Sequence, residues 1–242
     1  MLLYLCVLIP LVGTVLGAAA VFFIRSADSV QLKAVFSGLA AGIMTASSFF
    51  GLLIPSMAGS ATVFLPLLGL CAGFGFFILV EWGAERLFQK QSAHISVFAI
   101  TLHNLPEGMA VGIALAGVLL SQTGLTVSSL LSLSAGIAIQ NIPEGAIVSL
   151  PIRGRGKGRG YAFGMGVLSG VVEPIGAMAA LLLSELAAVM MPLFLSFAAG
   201  AMLSVVMGEL AMDFVGEERG FWGRIAFAAG LVGMTALDVL FG

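Results

Sequence analysis

The sequence predicts an all-α membrane protein, a bundle of eight transmembrane helices in one domain (1–242) with both termini on the extracytoplasmic side. Three observations predict this fold: the composition, eight apolar runs of helical length, and the position of the basic residues. Of the 242 residues, 60% are hydrophobic and only 9% are charged, whereas a soluble domain has about 25% charged residues. A soluble globule cannot hide so much apolar surface. The composition therefore excludes a soluble enzyme, a nucleic-acid-binding protein, a disulfide scaffold and a disordered chain.

The apolar runs give the number of spans. A helix needs about 20 apolar residues to cross a bilayer. Eight runs of this kind lie at residues 2–24, 33–54, 61–80, 95–119, 126–150, 160–184, 190–212 and 221–241. The first run is too long for a signal peptide and lacks a positively charged start, so we interpret it as a helix. The breaks between runs are too short to hold a soluble domain.

The basic residues give the orientation. All ten lie in or beside the breaks after predicted spans 1, 3, 5 and 7: Arg25, Lys33, Arg86, Lys90, Arg153, Arg155, Lys157, Arg159, Arg219 and Arg224. Loops rich in Lys and Arg remain on the cytoplasmic side of a membrane. An error of one span would have scattered these residues over both sides, so the count and the orientation support each other. The predicted location is the inner membrane of a prokaryotic cell.

Glycine is the second compositional signal, with 32 residues in the chain. Small residues recur at a spacing of four, as at Gly38 and Gly42 and at Gly166 and Gly170. This spacing lets helix backbones approach closely in lipid. We therefore expect tight helix pairs.

Several acidic residues lie inside the predicted membrane spans. Glu107, Glu144 and Glu173 are well inside predicted spans 4, 5 and 6. A carboxylate at the membrane centre costs at least about 2.5–3.5 kcal/mol, and no Lys or Arg occurs at a matching depth. These groups must therefore hold protons or meet an exogenous cation. The sequence points to cation transport or to an intramembrane metal site.

Two similar hexapeptides surround two of these acids. Span 4 contains HNLPEG at 103–108, and span 5 contains QNIPEG at 140–145. Residues four apart share a helix face, so the first and fifth residues of each motif point the same way. The proline of each motif lacks an N–H group and frees a backbone carbonyl one turn earlier.

The residues of this layer form an oxygen- and nitrogen-rich donor set. Counted along the helices at about 1.5 Å per residue, one level holds Met44, His103, Glu107, Gln140, Glu144 and Glu173. Such donors suit Zn²⁺, and also Mn²⁺, Fe²⁺ or Cd²⁺. Two simpler interpretations remain open at this point. Met44 is equally a packing residue, and Asn104 and Asn141 are able to bond carbonyl groups between helices.

The paired Asn-x-Pro-Glu-Gly motifs, followed by Glu173-Pro174 in the next span, resemble the ZIP family of divalent metal transporters, in particular its prokaryotic GufA-like branch. The resemblance covers the whole chain, because that family also has eight helices with both ends outside. It implies transport into the cytoplasm, no enzymatic activity and no prosthetic group. It also implies a homodimer and an elevator-like slide of spans 1, 4, 5 and 6 against spans 2, 3, 7 and 8.

The resemblance further implies a pair of metal positions at the membrane midplane. On the family pattern, one metal is surrounded by His103, Glu107, Gln140 and Glu144, with Met44 nearby. The second position receives Asn104, Asn141 and Glu173, and the two carboxylates Glu107 and Glu144 bridge the metals. The sequence departs from the pattern at Gln140, where the family usually has His. This departure replaces an imidazole with a harder and weaker amide ligand.

Two other classes of function were weighed. A proton-coupled carrier of an organic solute would explain the buried carboxylates, but not His103 or the paired amides. An intramembrane metallohydrolase needs three strong ligands and a general base. The chain has two His residues and no HExxH motif, which disfavours this class.

Overall fold

The computed structural model describes residues 2–24, 30–87, 93–121, 125–215 and 220–241, and the regular elements within these ranges are helices. The all-α prediction is thereby confirmed. Six stretches of the described residues are long and apolar enough to cross a membrane: Leu5–Phe23, Val30–Ala58, Phe64–Gly83, Arg159–Leu182, Met190–Phe214 and Gly220–Leu240. The count of eight spans and the side of the termini stay predictions.

The α-helices in chain order are α1 (Ile9–Ala18), α2 (Ala20–Phe23), α3 (Val30–Ala46), α4 (Ile54–Ala58), α5 (Phe64–Leu87), α6 (Ala93–Leu119), α7 (Val127–Gly154), α8 (Arg159–Gly170), α9 (Val172–Leu182), α10 (Ser184–Val205), α11 (Ala211–Phe214) and α12 (Gly220–Phe241). A 3-10 helix, Leu2–Leu8, precedes α1. Two π-helical segments, Ser47–Leu53 and Val206–Leu210, connect α3 to α4 and α10 to α11.

Several helices are longer than the apolar runs that predicted them. Helix α5 continues to Leu87 and α7 continues to Gly154, although the runs were expected to end at 80 and 150. An apolar run marks the part of a helix that lies in hydrocarbon, whereas backbone hydrogen bonding continues into the polar interface. Helices α6 and α7 are 27 and 28 residues long. The polar motif of α7 lowers its hydropathy, and α7 is not among the six apolar stretches.

The prolines of the two hexapeptides do not interrupt their helices. Helix α6 runs through Pro106 and α7 through Pro143. The interruption in predicted span 6 lies instead at Val171, between α8 and α9. Pro174 is then in the first turn of α9, where its missing N–H group removes no helical hydrogen bond. This break also places Glu173 in that first turn, where the helix dipole favours a negative charge.

Glycines allow the helices to pack closely in pairs. The most extensive helix contacts are α1 with α7, α6 with α9, α3 with α12, and α5 with α10. In every pair, a β-carbon added at certain glycines would meet the backbone oxygen of the partner helix: Gly13 and Gly17 in α1, Gly108 and Gly112 in α6, Gly38 and Gly42 in α3, and Gly69 and Gly73 in α5. The predicted close packing is thus confirmed.

The described basic residues gather at one end of the bundle. Lys33 Nζ, near the start of α3, lies 2.7 Å from Asp213 Oδ1 in α11, and the start of α12 contacts α11. Leu32 packs in one apolar cluster with Ile152 and Ala162, which brings the end of α7 and the start of α8 to the same place. We call this the basic end. Three basic residues lie outside the described ranges: Arg25, Lys90 and Arg219.

The glycine pairing predicts a difference between two matched substitutions. Gly13→Ala places a methyl group against the backbone carbonyl of Ala138, and we expect it to lower the free energy of unfolding by about 1–3 kcal/mol. Gly164→Ala in α8 meets no described atom within 4 Å. It should be neutral or stabilising by up to about 1 kcal/mol, because Ala is the better helix former. Unfolding of the purified protein in detergent measures both, and equal losses would contradict the pairing.

Candidate metal centre

The predicted site residues are deeply buried. Seven of the eight have described side chains, and all seven are classed as buried: Met44, Asn104, Glu107, Gln140, Asn141, Glu144 and Glu173. Glu107 and Glu173 are 0% exposed and Glu144 is 7% exposed. The eighth residue, His103, belongs to α6, but its side chain lies outside the described part of the structure.

A hydrogen bond between the two hexapeptides forms the first part of the site. Gln140 Nε2 in α7 donates to Glu107 Oε1 in α6 at 2.7 Å. Glu144, one turn after Gln140, and Glu173 in α9 are electrostatic neighbours of Glu107. Carboxylates from three helices therefore lie within electrostatic reach of one another in the interior of the bundle.

Glu173 is the centre of the second part. Its Oε1 accepts hydrogen bonds from Thr14 Oγ1 in α1 at 2.6 Å and from Asn104 Nδ2 in α6 at 3.3 Å. The side chain of Asn141 lies next to both Glu173 and Glu107. Side chains of α1, α6, α7 and α9 thus form one polar network.

The two asparagines also connect helices through backbone carbonyls. Asn104 Nδ2 donates to the carbonyl oxygen of Ser169 at 2.9 Å, and Asn141 Nδ2 donates to that of Pro10 at 3.4 Å. The interpretation of these residues as interhelical hydrogen-bond donors is confirmed for their nitrogen atoms. These bonds fix the amide planes and leave the amide oxygens for another role.

Five buried oxygens of the network have no hydrogen-bond partner among the described residues. They are Asn104 Oδ1, Glu107 Oε2, Gln140 Oε1, Asn141 Oδ1 and Glu173 Oε2. Each belongs to a side chain whose other polar atom is bonded to a neighbouring helix. A buried acceptor without a donor costs about 1–3 kcal/mol, so five in one network need a physical reason. A cation is the partner that satisfies acceptors without supplying a hydrogen.

Within the described ranges, no three acidic, thiol or imidazole groups are close enough to hold one metal ion. The side chain of His103 lies outside those ranges, and the predicted ligand set stays a prediction. Met44 is 0% exposed and belongs to the main apolar cluster with Ile137. Its role as a ligand stays a prediction.

The glycine of each hexapeptide positions a neighbouring helix. A β-carbon at Gly108 would overlap the backbone oxygen of Glu173, and one at Gly145 would overlap that of Thr14. The two motifs therefore pack in equivalent ways, α6 against α9 and α7 against α1. The hydrogen bond from Thr14 to Glu173 then joins the two partner helices at the level of the motifs.

Thr14 was missed by the sequence analysis. It is 1% exposed and supplies the shortest hydrogen bond to Glu173. A signal was present in the sequence, since a hydroxyl residue stands between Gly13 and Gly17 in an otherwise apolar run. The first predicted span contains no acidic residue that would mark it as part of the site.

Asp238 is the second residue that the sequence analysis missed. It is the one acidic residue in the apolar run 221–241. Its Oδ1 accepts a hydrogen bond from Ser132 Oγ at 3.2 Å, while its buried Oδ2 has no partner among the described residues. Asp238 lines a half-open cavity of about 350 Å³, together with Thr126 and Ser129.

This cavity lies at the end of the bundle opposite to the basic end, beside the start of α7. Its lining includes Ala114 of α6 and Leu133 of α7. Ala114 is seven residues after Glu107, and Leu133 is seven residues before Gln140. Each distance corresponds to about 10 Å along a helix. The complete burial of Glu107 and Gln140 separates the network from the cavity in this conformation.

Several named proteins are similar in sequence to much of this chain. Zinc transporter ZIPB of Bordetella bronchiseptica is 32% identical over 250 residues, covering 95% of this chain and 78% of that protein. Zinc transporter ZIP11 of Homo sapiens is 42% identical over 143 residues, which are 59% of this chain and 42% of that protein. Zinc transporter GufA of Myxococcus xanthus is 35% identical over 149 residues, with shares of 62% and 55%. The chain thus spans about half the length of each of the last two relatives.

A sequence model of the family described as ZIP Zinc transporter matches residues 83–239. This range includes both hexapeptides, Glu173 and Asp238, whereas Thr14 of the network lies before it. Since the match covers more than half of the chain, the protein belongs to the ZIP family.

Proposed function

We propose that this protein transports divalent metal cations of the zinc type, such as Zn²⁺ or Cd²⁺, across a membrane into the cytoplasm. The observation that carries the proposal is the set of five buried oxygens that have no hydrogen-bond partner in the described part of the chain, and these oxygens belong to three helices. The relatives named above are called zinc transporters. Both facts favour a cation over an organic solute as the transported species.

The proposed arrangement has eight spans, with both termini outside and the basic end in the cytoplasm of a prokaryotic cell. The six apolar stretches are completed by α6 and α7. At about 1.5 Å per residue, helices of 27 and 28 residues exceed the roughly 30 Å of a hydrocarbon core. The described polar side chains of their motifs are buried in the bundle, so their lower hydropathy is compatible with a span.

The proposed site holds two metal positions. The first is assigned to His103, Glu107, Gln140 and Glu144, with Met44 nearby. The second is assigned to Asn104, Asn141 and Glu173, and the carboxylates Glu107 and Glu144 bridge the two. The hydrogen bonds support this grouping, because Gln140 is bonded to Glu107 and Asn104 is bonded to Glu173.

Charge balance explains why the site would accept the cation. Two divalent ions bring four positive charges against about three negative charges of the carboxylates, which offsets most of the desolvation penalty. The cavity at Asp238 is the proposed entrance, because two of its lining residues, Ala114 and Leu133, lie about 10 Å along their helices from the network. A membrane potential favours inward movement by about 2.3 kcal/mol per charge per 100 mV.

The packing supports a slide of one helix set, α1, α2 and α6–α9 (spans 1, 4, 5 and 6), against the other, α3–α5 and α10–α12 (spans 2, 3, 7 and 8). The pairs α1–α7 and α6–α9 are connected to each other by the Thr14–Glu173 and Gln140–Glu107 hydrogen bonds. Within every pair, glycines contact backbone atoms of the partner helix, and Gly69 also contacts the Ser196 hydroxyl. Glycine contacts between the sets are with side chains, as at Gly136 against Met234. Side chains change rotamer more easily than backbones separate, so the boundary between the sets is the proposed sliding surface.

The first test removes a bridging carboxylate. Glu144→Ala should lower the uptake of Zn²⁺ and Cd²⁺ into proteoliposomes at least about tenfold, because one of three buried negative charges is lost. The matched control is Glu185→Ala at the start of α10, outside the motifs, which should retain uptake. Unchanged uptake by Glu144→Ala would contradict the mechanism. Metal analysis of the purified wild type separates the rival class, because a folded protein that binds no zinc or cadmium favours a proton-coupled carrier.

The second test concerns selectivity. Gln140→His replaces an amide with the imidazole that is usual at this position in the family, and imidazole prefers Zn²⁺ to Mn²⁺ more strongly than oxygen ligands do. We expect the ratio of Zn²⁺ to Mn²⁺ uptake in a competition assay to rise severalfold. Gln140→Leu, which removes both polar atoms, should lower the uptake of both ions. A ratio that stays constant in Gln140→His would argue against Gln140 as a ligand.

The third test concerns Thr14. Thr14→Val keeps the shape of the side chain but removes the donor to Glu173 Oε1, whereas Thr14→Ser keeps the donor. A hydrogen bond to a charged group is worth about 1.5–3 kcal/mol, and we expect Thr14→Val to raise the KM for Zn²⁺ about tenfold. Thr14→Ser should restore the wild-type KM. If both variants share the wild-type KM, Thr14 does not position Glu173.

A further inference from the structure

The loop between α7 and α8 carries the densest charge in the chain. Four basic residues occur within seven positions, Arg153, Arg155, Lys157 and Arg159, and no acidic residue occurs between 145 and 172. The last three are exposed and Arg153 is half-buried. We call these four residues with the glycines between them the basic loop. The proposed metal transport does not use any of them.

The basic loop has a defined conformation. Arg153 Nη1 donates to the carbonyl oxygen of Lys157 at 3.1 Å. The backbone N–H group of Arg155 donates to the carbonyl oxygen of Pro151 at 3.1 Å. Gly156 has φ +83°, in the left-handed region that favours glycine. These bonds and the left-handed glycine fix the turn on which the four basic residues stand.

Exposed aromatic rings surround the basic loop. Phe22 of α2 packs on Phe163 of α8 with ring centroids 5.4 Å apart, which places the end of α2 beside the loop. Phe23 is 83% exposed and Tyr161 is 53% exposed. Aromatic rings beside basic groups are typical of the membrane–water interface. Lys33, at the same end, is instead paired with Asp213.

We propose that the basic loop binds the headgroups of anionic phospholipids in the membrane leaflet at the basic end. Guanidinium groups pair with phosphate oxygens through two parallel hydrogen bonds, and the aromatic rings contact the adjacent acyl chains. The loop connects the helix that carries Gln140 to the segment that carries Glu173, so a bound lipid holds the connection between these two at the membrane surface. The proposal stands independently of the transported species.

The test measures lipid binding directly. The purified full-length protein in detergent is titrated with phosphatidylglycerol or phosphatidylcholine, and bound lipid is counted by native mass spectrometry. The double variant Arg155→Gln/Lys157→Gln should weaken phosphatidylglycerol binding about thirtyfold, which corresponds to about 1 kcal/mol for each charge removed. Arg153→Lys/Arg155→Lys/Arg159→Lys keeps every charge but removes the paired guanidinium hydrogen bonds, so it should weaken binding by less than the double variant does.

The matched control removes two other exposed charges. Arg86→Gln/Arg224→Gln alters basic residues near the end of α5 and the start of α12, and Arg86 also lies over an aromatic ring, that of Trp82, at 4.0 Å. This control should bind phosphatidylglycerol within about threefold of the wild type. An equal loss in both double variants would show diffuse attraction and overturn the proposal.

Two measurements on the wild type keep the proposal falsifiable if a variant does not fold. The wild type should prefer phosphatidylglycerol to phosphatidylcholine at least tenfold, and 500 mM NaCl should reduce that preference. The absence of a preference would overturn the proposal. Glycerol 1-phosphate should not displace the lipid at equal concentration, and displacement would assign the site to a free phosphate instead of a membrane lipid.

Discussion

The structure depends on the hydrogen bonds that stabilise carboxylates inside an apolar bundle. Glu107 and Glu173 are completely buried, and the ion pair Lys33–Asp213 lies at the basic end, away from them. Among the described residues, the groups that bond to them are neutral donors, the amides of Gln140 and Asn104 and the hydroxyl of Thr14. A neutral donor offsets only part of the negative charge of a carboxylate, because it supplies a hydrogen bond without a full positive charge. The network consequently keeps acceptor capacity that a buried arginine or lysine would have removed.

This network requires close helix packing, and the hexapeptides supply the means. Gly108 and Gly145 admit the backbones of the partner helices, so that Glu173 reaches the amide of Asn104 and Thr14 reaches Glu173. A side chain longer than hydrogen at either glycine would push the partner helix outward and lengthen these bonds. The same motif thus carries the polar groups and the packing residue that brings their partners near. This combination gives a physical reason for glycine directly after glutamate in both repeats.

Much of this arrangement could be predicted from the sequence, because hydrocarbon imposes strict rules. Apolar length predicted where helices occur, and the cost of a buried charge predicted that Glu107, Glu144 and Glu173 belong to a site. Other features depend on contacts between distant segments. Thr14 meets Glu173 across 159 positions, and no periodicity within one helix encodes such a contact. The break at Val171 was also missed, since proline chemistry alone does not distinguish a helix interior, as at Pro106, from a helix start, as at Pro174.

Gln140 shows how a single residue serves both structure and the proposed transport. An amide has a donor and an acceptor on one rigid plane, and its nitrogen connects α7 to α6 through Glu107 while its oxygen has no partner among the described residues. A cation bound to that oxygen and to Glu107 would compete with the hydrogen bond between them. The gain from metal coordination would be reduced by the bond that is broken, so release would be easier than from a rigid metal cage. A carrier needs this balance, because a site that binds too tightly cannot discharge its ion.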